Sequence, residues 1–124
     1  MIPAFLKTTL LTAVIGLAAL TPAWAHAFID HASPAVGGAV KASPPEVRVW
    51  FTEALEAGFS RLQVFDATNR EVDKKDARVD QKNPREISVS LPAALPAGTY
   101  RVVWRAVSVD THVTQGDFTF RVEP

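Results

Sequence analysis

The sequence predicts an all-β domain, a two-sheet antiparallel β-sandwich of about seven short strands that begins after residue 25. Three observations predict it. Apolar and polar residues alternate with period two in several short runs. Turn and breaker residues separate those runs at intervals of about 8–12 residues. No sustained helical period appears outside the first 25 residues. A small barrel is the alternative closure for the same pattern.

The first 25 residues have a composition of their own. Lys7 is their only charge, and Thr9 to Leu20 is an apolar run ended by Pro22. A membrane-spanning helix needs about 20 apolar residues, so this run is short for an anchor. A positive start, a short apolar core and a small-x-small site make a secretory signal peptide. Residues 1–25 are therefore expected to be removed on export, with an uncleaved anchor as the alternative. Removing 25 of the 124 residues leaves 99, enough for one core and one domain, 26–124. Ala23-Trp24-Ala25 and Ala25-His26-Ala27 both satisfy the small-x-small rule. The first cut makes His26 the N-terminal residue, and the second discards it.

The strands follow in order. Val47 to Phe51 places Val47, Val49 and Phe51 on one face. A second run spans Phe59 to Asp66 and carries Leu62, Val64 and Phe65, before the turn residues Ala67-Thr68-Asn69. Glu86 to Leu91 aligns Ile87, Val89 and Leu91. Tyr100 to Val107 aligns Tyr100, Val102, Trp104 and Ala106, and Phe118 to Val122 aligns Phe118, Phe120 and Val122. Between the runs lie Ser33-Pro34, Gly37-Gly38, Ser43-Pro44-Pro45, Pro92 and Pro96-Ala97-Gly98. Glu53 to Gly58 has room for a short turn only. The polar stretch Asp66 to Arg85 reads as a long exposed hairpin or loop.

Composition excludes several chemistries. The chain has 13 basic and 13 acidic residues and no block of Lys and Arg, which argues against nucleic-acid binding. It has no cysteine, hence no disulfide, thiolate site or thiol nucleophile. The single methionine is Met1, so the mature chain has no sulfur ligand for Cu(I). Serine-hydrolase, phosphate-loop, dinucleotide and HExxH patterns are absent.

What remains is three histidines and the carboxylates. Asp110 and His112 stand two apart, so an extended backbone points both side chains one way. Such a pair ligates one ion, or simply hydrogen-bonds to itself on the surface. An N-terminal His26 adds an α-amine and an Nδ1 that close a six-membered chelate ring. With one further imidazole this makes three nitrogens in a T, with an Asp110 oxygen available for the fourth place. Tetragonal N/O coordination suits Cu(II), which also tops the affinity order for divalent metals. The amine must lose its proton, so binding weakens in acid.

These residues carry a resemblance. The chain from His26 to Val122 resembles the CopC/PcoC family of periplasmic copper-binding proteins. The likeness rests on His26 directly after the signal, Ser33-Pro34 with Gly37, Phe51-Thr52-Glu53, Phe59-Ser60 and Pro96 to Tyr100. Its most specific part is Trp104-Arg105-Ala106-Val107-Ser108-Val109-Asp110-Thr111-His112, completed by Gly116 and Phe118 to Val122. The resemblance implies a cupredoxin-like or immunoglobulin-like β-sandwich. It implies Cu(II) held by His26, Asp110 and His112, with Glu53 at or near the metal. Glu53 follows a strand after Thr52 and reads equally as part of a local cap. The resemblance also implies a partner of the CopD type, an inner-membrane copper-transport protein. The Met-rich Cu(I) segment of some members is missing here, and the charged stretch Asp73 to Lys82 takes its place. A Cu(II)-only site on a monomeric, non-enzymatic protein of copper homeostasis or resistance is the resulting expectation.

His31 falls outside this ligand set and reads as an ordinary exposed histidine, and Trp104 as core. Two other functions compete. One is a small copper oxygenase using the same N-terminal histidine brace, although 99 residues leave little substrate face and Asp110 would fill a place oxygen needs. The other is a metal-free interaction sandwich in which Asp110 and His112 are a chance pair.

Overall fold

A computed structural model of the protein describes residues 27–124. The expected signal segment, both cleavage points and His26 lie outside the described residues. Eight strands follow in order: β1 (Ile29–Ser33), β2 (Ala39–Val40), β3 (Glu46–Phe51), β4 (Arg61–Phe65), β5 (Arg78–Val79), β6 (Glu86–Ser90), β7 (Gly98–Val107) and β8 (Val113–Val122). They form two four-stranded sheets, one ordered β1-β3-β6-β5 and the other β2-β8-β7-β4. No helix occurs among the described residues. The sandwich is therefore the closure adopted, not the barrel.

The alternation selects the core. Val47, Val49 and Phe51 of β3 are buried with Ile87 and Val89 of β6. Facing them are Leu62 and Val64 of β4, Tyr100, Val102 and Ala106 of β7, and Phe118, Phe120 and Val122 of β8. Fully burying a side chain such as Leu62 or Ile87 stabilises by about 1.5–3 kcal/mol over leaving it in water. Tyr100 stacks on Phe120 at 5.5 Å and donates its hydroxyl to the Pro96 carbonyl at 2.5 Å. A tyrosine bonding back to the preceding corner is a recurrent anchor of immunoglobulin-like sandwiches. Burial, with the nearby Asp66 carboxylate second, pushes its hydroxyl pKa up. The buried phenol thus stays the neutral donor that this bond needs.

Four details differ from the sequence reading. β1 is a full strand that the alternation does not mark, because its pairing with β3 shifts register between Ile29 and His31. A bulge of this kind breaks the period-two signal. β2 pairs parallel with β8, so the second sheet is mixed rather than purely antiparallel. β8 starts at Val113, five residues before Phe118, because the inward positions of that half are the half-buried Thr114 and Gly116, which give no apolar alternation.

The fourth is the stretch Asp66 to Arg85, which is not a free loop. It crosses from the edge of one sheet to the edge of the other and is tied to both. Asp73 is buried; it accepts the Val64 amide of β4 at 2.8 Å and the Lys75 amide at 2.8 Å. Asp76 accepts the Ser90 amide of β6 at 2.7 Å, and its hydrogen bonds with Ser90 hold its carboxyl below the usual range. β5 then pairs with β6. The acidic residues of this stretch are structural acceptors.

Candidate metal centre

Strands β7 and β8 are ten residues each and run as one long hairpin, in register from Gly98–Val122 to Val107–Val113. Ser108 to His112 close it. The Ser108 amide donates to the His112 carbonyl at 3.0 Å, and the Thr111 amide donates to the Ser108 carbonyl at 2.8 Å. Thr111 takes a left-handed conformation, φ 71°, which is unusual for a β-branched residue. Its hydroxyl donates to the Asp110 carbonyl at 2.6 Å.

Asp110 and His112 therefore sit on a tight turn, not on the extended backbone that their spacing suggests. The turn still brings them together. His112 Nδ1 lies 3.1 Å from Asp110 Oδ2, with both side chains about half exposed. The other Asp110 oxygen accepts a hydrogen bond from the Ser108 hydroxyl. Ser108 is 1% exposed, and its hydroxyl also reaches the His112 carbonyl at 3.3 Å. The Ser108 hydrogen bond is the main reason the Asp110 carboxyl lies below the usual carboxylate range. Partial loss of solvent opposes it, and the His112 contact adds to it. Asp110 is thereby held ionised, in a fixed orientation, beside an imidazole.

The chain after β3 supports this turn from one side. The Val109 amide donates to the Ala54 carbonyl at 3.1 Å, Leu55 bridges to Ser108, and the Glu56 amide donates to Val107 at 2.7 Å. Glu53 is half-buried at the start of this segment. Among the described residues, no group of three or more His, Asp or Glu side chains is close enough to hold a metal ion. Glu53 is thus a neighbour of the turn by chain position but does not complete a cluster with Asp110 and His112.

The start of the described chain supports the turn from the other side. Ala27 is fully buried, and its carbonyl accepts the Thr114 hydroxyl at 2.5 Å. Thr114 is two residues past His112. Phe28 is held twice by Thr52, its amide donating to Thr52 Oγ1 at 3.0 Å and its carbonyl accepting the Thr52 amide at 2.8 Å. Thr52 is thus a local cap, holding the chain just before β1.

His31 belongs elsewhere. It faces Trp50 across β1 and β3 and stacks on its ring at 4.3 Å, with Nδ1 2.8 Å from Asp30 Oδ2. Trp104 packs edge-on against Phe51 at 5.2 Å and borders the core. Sequence reasoning missed two roles: Ser108 as the support of Asp110, and Thr114 as the anchor of Ala27. The Ser-x-Asp-x-His spacing signals the first; nothing local signals the second.

The CopC domain family model matches this chain over residues 29–123. The chain is 35% identical over 112 residues to Protein YobA of Escherichia coli (strain K12), covering 90% of each. It is 32% identical over 124 residues to Copper resistance protein C of Escherichia coli, covering 95% of this chain and 98% of that one. Its fold superposes on the crystal structure of CopC from Methylosinus trichosporium OB3b with a TM-score of 0.74 at 33% identity, covering 80% of this chain and 95% of that one.

Proposed function

As the chain belongs to the CopC domain family, we propose that it binds copper outside the cytoplasm as a non-enzymatic carrier or buffer. The ion is Cu(II), and the ligands are His26 through its amine and imidazole, Asp110 and His112. Removal of residues 1–25 creates the amine. The observation that carries this reading is the anchoring of Ala27 beside the β7–β8 turn. Thr114 and Thr52 fix the chain end that follows His26, next to the strand that follows His112. Asp110 and His112 alone offer one oxygen and one imidazole, and a tetragonal Cu(II) site asks for two donors more. An N-terminal histidine supplies two from one residue. Glu53 is the lower-ranking candidate, adjacent by chain position.

The partner reading is a membrane copper-transport protein of the CopD type, meeting a monomer at this end. Val109 and Val113, exposed by 57% and 47%, adjoin Asp110 and His112 in the chain, and Phe28, exposed by 47%, follows the anchored Ala27; these exposed apolar groups support it. Exposed apolar groups beside a polar site are typical of a docking surface.

Intact mass and a Cu(II) titration of the exported protein test the reading. A chain starting at His26 should bind one Cu(II) tightly, lose that affinity in Asp110→Ala and His112→Ala, and keep it in His31→Ala. A mature chain starting at Phe28, or one starting at His26 with only weak Cu(II) binding, overturns it. Ascorbate-driven peroxide release with polysaccharide cleavage would favour the oxygenase instead.

A further inference from the structure

The outer face of the second sheet carries a charge arrangement separate from the β7–β8 turn. Arg61 of β4 stands directly opposite Arg105 of β7 in the strand register. Residues so placed have Cβ atoms about 4.5–5.5 Å apart, and like charges there destabilise the sheet. The other arginines of the sheets and their connections mostly have carboxylates. Arg48 pairs with Glu46 and Glu86, Arg78 with Glu46 and Asp76, Arg101 with Asp117, and Arg121 with Glu123. Arg70 pairs with Asp66. Among the described residues, only Arg61, Arg85 and Arg105 have no carboxylate within 4.0 Å, and two of those three face each other. Arg105 donates only to the Phe59 carbonyl, at 3.1 Å.

The space over this pair is an open concavity of about 470 Å³, lined by Arg61, Gln63, Val103, Arg105, Gln115 and Asp117 among others. The acidic groups around it are engaged elsewhere. Asp117 lies 3.7 Å from Arg101, and Glu71 accepts the Gln63 amide at 2.7 Å and lies 4.0 Å from Lys75. The register therefore sets two like charges on neighbouring strands with no carboxylate within 4.0 Å of either, Asp117 of the concavity being turned to Arg101. An oxyanion between them converts that repulsion into two charge-assisted hydrogen-bonded contacts, and the planar guanidinium fork matches a carboxylate.

We propose that Arg61 and Arg105 form a clamp for a carboxylate, borne either by a small dicarboxylate or by an acidic side chain of a protein. The clamp is independent of copper. It is tested on the metal-free full-length mature chain by following the arginine Nε–Hε resonances during titration with succinate, with a hexaglutamate peptide and with inorganic phosphate. Each titration is matched in ionic strength with NaCl. Saturable shifts confined to Arg61 and Arg105 are expected with the carboxylate probes, weakened at least about tenfold in Arg61→Gln. Thermal stability of Arg61→Gln should equal or exceed that of the parent, because the substitution removes the repulsion. Tighter binding of the peptide at equal carboxylate concentration assigns the clamp to a protein partner, and equal binding assigns it to a small acid. Shifts reproduced by NaCl, shared equally by Arg85, unchanged in Arg61→Gln, or seen only with phosphate overturn the proposal.

Discussion

Ser108→Ala isolates what holds the carboxylate of the metal centre. The hydroxyl is buried, donates to Asp110 and is the largest influence lowering that carboxyl's pKa. The turn itself does not need it, because the Ser108–His112 and Thr111–Ser108 bonds run between backbone atoms. The substitution thus leaves the hairpin closed while Asp110 loses its donor and its fixed orientation beside His112. Removing the outer hydrogen-bond partner of a metal ligand weakens metal binding by about 10–100-fold. A competition titration of Cu(II) against a chelator near neutral pH should show that loss. The metal-free protein gives a second readout. A depressed carboxylate pKa adds stability that is present above the ordinary carboxylate range and is lost as pH falls through the depressed value. In Ser108→Ala the carboxyl titration midpoint of Asp110 should rise toward that ordinary range, so this pH-dependent contribution shrinks. Copper affinity within about twofold of the parent, together with an unmoved Asp110 midpoint, would refute the assignment of Ser108 as its support.

Two further substitutions test the fold around the site. Asp73→Ala leaves the buried Val64 amide without an acceptor, which costs about 1–3 kcal/mol, or on the order of 10 °C in melting temperature. Calorimetry should show that drop with copper affinity unchanged, and an unaltered melting temperature would contradict the role given to Asp73. Gly116→Ala places a Cβ 2.9 Å from Cζ2 and 3.2 Å from Cε2 of Trp104, whose ring is backed by Phe51. Overpacking of this kind costs about 1–3 kcal/mol, and the tryptophan emission should shift as the ring moves. A variant with parental melting and emission would show that the ring has room to yield.

How much of this protein its sequence determines follows from the range of each signal. Alternation is local, so β3, β4, β6 and the core halves of β7 and β8 are readable along the chain. The two-sheet class follows from those faces and the turns between them. The Asp110-x-His112 pair is readable as a local spacing, but the turn that joins the two side chains and the support from Ser108 come from the structure. Pairing partners are not local. β1 hides behind a bulge, and β2 is two residues whose only signature is a parallel match to the far end of β8. Asp73 and Asp76 look like solvent charges until distant strands present their amides. Arg61 and Arg105 are 44 positions apart and meet only through register. Only the tertiary structure places Ala27 against Thr114, 87 positions away, because hydrogen bonds between distant segments leave no periodic trace in the residues that make them.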